Sequence, residues 1–218
     1  MLEIFQKGGW MMYPLILSSV LAVAIILERF WSLRRKRILI PQIIAVIDQI
    51  KTPEDFALAR SISEKFDGPF SRIVVTCIDN RDLPLDELRA MVEDEGRQQV
   101  RTLNRGLPML ETIAGVAPLL GLLGTVLGMI KVFNVIQTLG VGQAKALSGG
   151  ISEALVTTAT GLIIGIPALI FYNYFQSRAE GLILDIERYT LTLINKIIRM
   201  QKGVSPTVTQ ESLNFRSQ

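Results

Sequence analysis

The sequence predicts an all-α integral membrane protein with three transmembrane helices that extend into a helical cytoplasmic region. Hydrophobic residues make up 49% of the 218 residues and the mean hydropathy is +0.37, although 20% of the residues are charged. These two populations are segregated into long uncharged runs and long charged stretches, whereas a soluble domain would mix them. The sequence contains no internal repeat and no β-rich stretch, so helices are expected throughout.

Three apolar runs are long enough to span a bilayer. About 20 apolar residues in a helix cross the roughly 30 Å hydrocarbon core. The predicted transmembrane helices are residues 10–31, 108–137 and 151–175. The first run ends directly in Glu28-Arg29, without a basic leader or a small-residue cleavage site, so we expect it to stay as a permanent span.

The distribution of basic residues predicts the orientation. With the N-terminus outside, only Lys7, Lys131 and Lys145 of the 23 Lys and Arg residues lie on the outer side, and the other 20 lie in the cytoplasm. This bias favours a periplasmic N-terminus and a cytoplasmic C-terminus. The remaining predicted segments are a periplasmic N-terminus (1–9), a cytoplasmic helical region (32–107), a periplasmic loop (138–150), a cytoplasmic amphipathic helix (176–202) and a disordered tail (203–218).

Several kinds of chemistry are excluded by composition. The chain has no histidine and a single cysteine, Cys77, which excludes His-based metal sites, His proton relays and an internal disulfide framework. The glycine-rich GLLGTVLG lacks the Lys-Ser/Thr of a phosphate loop. We therefore predict no enzyme activity, no cofactor and no metal. The basic residues flank the apolar runs, which indicates contact with membrane lipid and not with nucleic acid.

Small and hydroxyl-bearing residues form a stripe along each of the last two spans, at alternating spacings of three and four that keep them on one helix face. The stripes comprise Ala114, Pro118, Gly121, Thr125 and Gly128 in the second span, and Ala154, Thr158, Gly161, Gly165 and Ala168 in the third. One interpretation is close helix packing, because small residues let backbones approach in lipid. The other is that part of each stripe lines a narrow lumen or contacts a partner helix. The spacing does not distinguish them.

Glu153 is the one carboxylate near the interior of a predicted span. An ionisable group at membrane depth is costly and is usually functional, and Glu153 shares a helix face with Thr157 and Thr160. The alternative is that Glu153 follows Gly149-Gly150 in the first turn of the third span and complements the helix dipole. Glu28 is expected to pair with a nearby Arg at the interface, and Lys131 is expected to extend towards the outer interface.

Three stretches together resemble the MotA/TolQ/ExbB proton-channel family, in its ExbB/TolQ branch. They are GGWMMYPLILSSVLAVAIILER at the first span, LNRGLPMLETIAGVAPLLGLLGTVLGMIKVF at the second and ISEALVTTATGLIIGIPALIFYNYF at the third. APLLGLLGTVLGM in the second span is followed in the third span by SEAL, T, GL and IPA in that order, and this combination is specific to the family. The given chain is shorter than the flagellar stator subunits of this family, which have an extra span and a large cytoplasmic domain, so we expect no role in flagellar rotation.

The resemblance implies a homopentamer in the bacterial inner membrane, with the second and third spans around a central pore. The pore would hold a dimer of single-span ExbD/TolR-type subunits, each bringing an aspartate, and a TonB/TolA-type protein would be a further partner. The ion-motive force would then drive work on periplasmic or outer-membrane systems. By position, Thr125, Thr158 and Glu153 match the family's pore residues, and Pro118 and Pro167 match its span prolines. With Thr157 and Thr160, which share the helix face of Glu153, the first three are predicted to line the ion pathway. With the stripe glycines, the two prolines are predicted to pack the pore helices; these glycines are Gly121, Gly128, Gly161 and Gly165.

Two other classes of protein are alternatives to an ion-driven motor. A passive scaffold that clamps a single-span partner would use the same Thr and Glu residues for packing and capping. A small-solute transporter is disfavoured, because no inverted repeat or pair of interrupted helices is visible. The sequence leaves open whether the ion is H⁺ or Na⁺ and which outer-membrane system is energised.

Overall fold

A computed structural model describes residues 8–140 and 144–201. The described residues form eight helices and no strand, which confirms the all-α prediction. In chain order they are α1 (Met12–Ser32), α2 (Arg35–Ile38), α3 (Pro41–Gln49), α4 (Asp55–Glu64), α5 (Pro69–Asp79), α6 (Leu85–Leu103), α7 (Leu107–Leu139) and α8 (Ala144–Gln201).

Three of these helices, α1, α7 and α8, are long and apolar enough to cross a membrane, as the sequence predicts. The transmembrane prediction over 10–31 corresponds to α1, and that over 108–137 corresponds to α7, each to within two residues. Pro108 lies in the first turn of α7, where its missing N–H costs no hydrogen bond.

The helix α8 begins earlier than the sequence predicts. It starts at Ala144 and continues for 58 residues, so the predicted loop of 138–150 is helical in its second half. The predicted third span and the predicted amphipathic helix are one uninterrupted helix. Gly149-Gly150 suggests a loop in the sequence, but Gly150 instead permits close packing, because a Cβ there would lie 2.6 Å from Cγ2 of Val132. The predicted tail (203–218) and residues 1–7 lie outside the described residues.

The connection between α6 and α7 also differs from expectation. The sequence predicts that α6 continues directly into the second span. Instead α6 ends at Leu103, and a turn over 104–106 precedes α7. Gly106 has a φ of +79°, a left-handed conformation that glycine adopts without the steric cost of a Cβ. A glycine two residues before Pro108 is a recognisable helix-boundary signal that outweighs the helical spacing on both sides.

The chain divides into two compact units. The first contains α1, α7 and α8 as far as Arg178, and the second contains α2 to α6 and α8 from Ala179. In the second unit, α5 contacts both α4 and α6, and its fully buried side chains include Phe70, Val74 and Ile78. The ring of Phe70 lies 5.9 Å from that of Tyr189 on α8. This aromatic contact joins α5 to α8 within the second unit.

A lysine ties α8 to the end of α3 in the same unit. The ammonium of Lys196 donates to the carbonyl oxygens of Ile47 at 2.8 Å, Asp48 at 2.7 Å and Ile50 at 3.3 Å. The last carbonyls of a helix lack partners within it, so a cation at this position satisfies them. Lys196 thus caps α3 from a distant part of the chain.

Cys77 provides a test of the second unit's core. It is fully buried on α5, and burial raises the pKa of its thiol to about 12 from an ordinary 9.0. At pH 8 the thiolate fraction falls from about one in ten to about one in ten thousand, and only the thiolate is nucleophilic. We expect alkylation of Cys77 to be at least about a thousandfold slower than that of an ordinary thiol.

The rate is measured with a maleimide on the folded chain in detergent. A Cys77→Ala, Leu58→Cys variant is the control, because Leu58 is exposed on the neighbouring helix α4. Denaturant is expected to remove the difference between the two proteins. Rapid labelling of Cys77 in the folded chain would contradict this description of the core.

Candidate functional site

The candidate site is built on the crossing of α7 and α8 in the first unit. Gly121 of α7 lies against Thr158 and Gly161 of α8, whereas Gly128, two turns further along α7, lies against Ala154 and Gly150. As the residue numbers increase along α7, the numbers of the α8 residues that they contact decrease. The two helices therefore form an antiparallel hairpin.

The backbones approach too closely for any side chain larger than hydrogen. A Cβ on Gly121 would lie 2.9 Å from the carbonyl oxygen of Thr157, and one on Gly161 would lie 2.5 Å from that of Ala117. A Cβ on Gly165 would lie 2.6 Å from Cγ of Pro118. We call Gly121, Gly128, Gly161 and Gly165 the glycine seam. All four belong to the stripes that the sequence indicates, and within one chain the stripes pack against each other, as small residues do in lipid.

Two further glycines of the crossing are not part of the predicted stripes. Gly124 faces the side chain of Thr157, and Gly150 faces Val132. Gly124 lies three residues after Gly121 and four before Gly128, so the same helical spacing could have identified it. Gly150 falls in the segment that the sequence predicts as a loop.

Thr158 makes a side-chain hydrogen bond that crosses from α8 to the backbone of α7. Its Oγ1 donates to the carbonyl oxygen of Gly121 over 3.0 Å. The bond is possible because Gly121 has no side chain to hold the helices apart. Such bonds between helices in a membrane contribute about 0.6 to 2 kcal/mol. Thr158 is half-exposed, so it lies at an edge of the seam.

The other predicted hydroxyls bond within their own helices. Thr125 donates to the carbonyl oxygen of Leu122 at 2.6 Å, and Thr160 donates to that of Val156 at 2.8 Å. Both are half-exposed. Thr125 lies between Gly121 and Gly128, so it is at the level of the α8 turn that runs from Ala154 to Thr158. The structure thus places Thr125 and Thr158 at neighbouring levels of the hairpin.

Thr157 is placed differently. It is fully buried against Gly124, and its hydroxyl is within hydrogen-bonding distance of the carbonyl oxygens of Glu153 (3.0 Å) and Ala154 (2.9 Å). In the isolated chain Thr157 therefore packs inside the crossing instead of on an open surface. Its place in an ion pathway stays a prediction.

Glu153 has a partner that sequence reasoning missed. Its Oε1 accepts a hydrogen bond from the ammonium of Lys131 on α7 at 2.5 Å. The Glu153 side chain is 18% exposed and the Lys131 side chain is 53% exposed. Because α8 begins at Ala144, Glu153 is its tenth residue. The alternative of a dipole-complementing carboxylate in the first turn is therefore wrong.

The remaining predicted residues lie as follows. Pro118 packs its ring against Gly165, whereas Pro167 is exposed on the surface of α8. The expected pairing of Glu28 is confirmed, because its carboxylate accepts hydrogen bonds from Arg29 at 2.6 Å. Within residues 8–140 and 144–201, no group of three His, Cys, Asp or Glu side chains could hold a metal ion.

These features define a class: a three-span integral membrane protein whose last two spans form a tight hairpin with hydroxyls and one ion pair at its edges. Residues 50–188 match the model of the MotA/TolQ/ExbB proton channel family. The chain belongs to this family, and the resemblance found in the sequence is confirmed. A transport or channel class, and not an enzyme class, follows from the family.

Named relatives agree with the ExbB/TolQ branch. The chain is 37% identical over 184 residues to a biopolymer transport protein ExbB-like 1 of Synechocystis sp., covering 81% of this chain and 71% of the relative. It is 36% identical over 180 residues to ExbB-like 3 of the same organism, covering 79% and 83% respectively. It is also 40% identical over 95 residues to the Tol-Pal system protein TolQ of Pseudomonas aeruginosa, covering 44% of this chain and 41% of the relative.

Proposed function

We propose that the chain is the ring-forming subunit of a proton-driven motor in the bacterial inner membrane. Five copies surround a pore lined by α7 and α8, and a dimer of single-span ExbD/TolR-type subunits occupies that pore. The ion-motive force drives work on periplasmic or outer-membrane systems, either TonB-dependent uptake or a Tol-Pal type system. Family membership and relatives named for biopolymer transport and for Tol-Pal support this assignment.

The observation that supports the proposal most directly is the glycine seam. It packs α7 against α8 inside one chain, so each subunit enters the assembly with these two helices already joined as one wall of the pore. Thr125 and Thr158 lie half-exposed at the edges of that wall. Large apolar side chains cover its outer surfaces and need lipid or neighbouring copies as partners; they include Leu119, Phe133, Leu155 and Ile163.

The ionisable groups of the hairpin support a proton carrier that is supplied by the partner subunit. Glu111 is the fifth residue of α7 and so lies near one end of the hairpin, and Lys131 and Glu153 already pair with each other. Hydroxyls such as those of Thr125 and Thr158 can donate and accept hydrogen bonds but stay uncharged at neutral pH. We therefore assign the proton-carrying carboxylate to the partner's helix. Each charge that crosses releases about 2.3 kcal/mol per 100 mV of membrane potential.

The proposed orientation has the N-terminus in the periplasm and the C-terminus in the cytoplasm. It is supported by the 20 basic residues that this orientation places on the cytoplasmic side. In that orientation the second unit is cytoplasmic, and the connection between α7 and α8 faces the periplasm.

A second candidate function is a passive scaffold that clamps a single-span partner. The specific observation in its favour is that the hydroxyls of the hairpin already have hydrogen-bond acceptors within the chain. Thr157 bonds to the backbone of its own helix, and Thr158 bonds to Gly121 across the crossing. A scaffold would assemble with the same stoichiometry but would not depend on the ion gradient.

Copy number tests the proposed assembly. We expect the complex purified from its native membrane, together with its ExbD/TolR-type partner, to contain five copies of this chain and two of the partner. Native mass spectrometry measures the stoichiometry, and cryo-electron microscopy shows what fills the centre. Material purified without the partner serves as the control. A monomer, or a ring with only lipid in its centre while the partner is present, would overturn the proposal.

A further inference from the structure

The ion pair of Lys131 and Glu153 is the feature that the proposed function leaves unexplained. We propose that these two side chains act as one neutral unit that ties α7 to α8 at the end of the hairpin where α1 begins. We further propose that Glu153 serves there as a fixed counter-charge and does not carry the transported proton. The second statement rests on the proposed function, whereas the first does not.

Three elements of the first unit enclose the carboxylate. The ammonium of Lys131 on α7 lies 2.5 Å from Oε1 of Glu153 on α8. The backbone of Gly9, just before α1, lies on another side of the same carboxylate, because a Cβ on Gly9 would overlap Oε1 of Glu153. Gly9 has a φ of +63°, a conformation that also favours glycine. A residue with a side chain at position 9 would displace the carboxylate.

The ion pair lies near the end of α7 and the start of α8. Glu153 lies nine residues after the start of α8, and Lys131 lies eight residues before the end of α7, which corresponds to about 14 Å and about 12 Å of helix. Gly9 precedes the first residue of α1 by only three positions. The pair is thus level with the start of the first span. Here the Lys131 side chain is more than half exposed, whereas the Glu153 carboxylate stays between the helices.

The energetics favour a permanent pair. A carboxylate that loses most of its hydration is stabilised by an opposite charge in contact with it, and removing one partner of such a pair costs more than replacing both with neutral groups. A proton carrier has to gain and lose a proton in every cycle. For Glu153 that would mean breaking its contact with Lys131 each time. The threonines at the seam edges carry no such constraint.

Four variants test the inference in a double-mutant cycle. They are Lys131→Met, Glu153→Gln, the neutral double variant K131M/E153Q and the charge swap K131E/E153K. Each is purified with the native partner. The midpoint of thermal unfolding in detergent is measured first, and proton flux into liposomes with an internal pH dye is measured second.

We expect Lys131→Met to unfold about 5 °C or more below the wild type, because the Glu153 carboxylate would be left unpaired between the helices. We expect a smaller loss for Glu153→Gln, because the remaining charge, on Lys131, is half-exposed. We expect the proton flux of each single variant to fall about tenfold. The neutral double variant and the charge swap should recover most of both quantities. Recovery in the swap separates a requirement for opposite charges from a requirement for these particular side chains.

Each result that differs from these expectations would overturn a particular part of the proposal. Single variants that unfold with the wild type would overturn the tie between α7 and α8. A neutral double variant that is stable but has no flux would show that Glu153 carries the proton, and would overturn the second statement. A wild-type complex without proton flux would contradict the proposed function, while the unfolding cycle would still decide whether the pair ties the helices.

Discussion

A Gly161→Leu variant is expected to lose the packed α7–α8 hairpin. The first side-chain carbon alone would lie 2.5 Å from the carbonyl oxygen of Ala117 and 3.0 Å from Cα of Gly121. These neighbours are backbone atoms, so they cannot move aside as the end of a flexible side chain does. Overpacking a core with added methylenes costs about 1–3 kcal/mol, and we expect a cost above that range because two backbones must separate.

The matched control is Gly149→Leu on the same helix. No atom lies within 4 Å of a Cβ at this position, and leucine forms helix better than glycine by about 0.8 kcal/mol. The thermal unfolding midpoint of the isolated chain in detergent measures both variants. We expect a large loss for Gly161→Leu and no loss for Gly149→Leu. Equal midpoints for Gly161→Leu and the wild type would contradict the close crossing.

Thr125→Val and Thr158→Val variants are expected to assemble normally and to reduce ion-dependent activity to background. Valine matches threonine in shape but can neither donate nor accept a hydrogen bond, so the wall loses the polar groups that would meet the partner's carboxylate. Thr158→Val also loses the bond to Gly121, which is worth about 1 kcal/mol and is too little to open the seam.

The controls for these variants separate polarity from packing. Thr158→Ser keeps the hydroxyl and should retain most activity. Thr192→Val removes an exposed hydroxyl that bonds to the carbonyl oxygen of Arg188, in the second unit, and should leave activity unchanged. Proton flux in liposomes and native mass spectrometry provide the two readouts. If Thr125→Val and Thr158→Val both assemble and stay active, the result would favour the scaffold function over the motor function.

The spans were predictable because the length and composition of an apolar run are properties of the sequence itself. The stripes were predictable for a similar reason, since their spacing places small residues on one helix face, but the spacing did not decide between packing and the lining of a lumen. Gly121 and Gly161, which meet in the glycine seam, each belong to a stripe that can be recognised in its own helix. The family resemblance added the expected roles of Thr125 and Thr158, which the crossing alone does not assign.

What could not be predicted depended on contacts between distant segments. Lys131 and Glu153 lie on different helices, and their pairing follows only when Gly128 is known to meet Ala154. Lys196 caps α3 from about 150 residues away, and no local pattern indicates it. The turn at Gly106 was missed because helical spacing on both sides masked a local glycine signal. Copy number and the occupant of the pore are properties of several chains together.

The glycine seam lies inside a single chain, and this has a genetic consequence. A subunit whose only defect is a Thr158→Val substitution keeps its hairpin and can join wild-type subunits in the same ring. If the ring has the five copies proposed above, equal expression of both alleles would leave only about 3% of rings free of the defective subunit. Such an allele should be dominant. A Gly161→Leu subunit fails before assembly, is left out of the ring, and should be recessive.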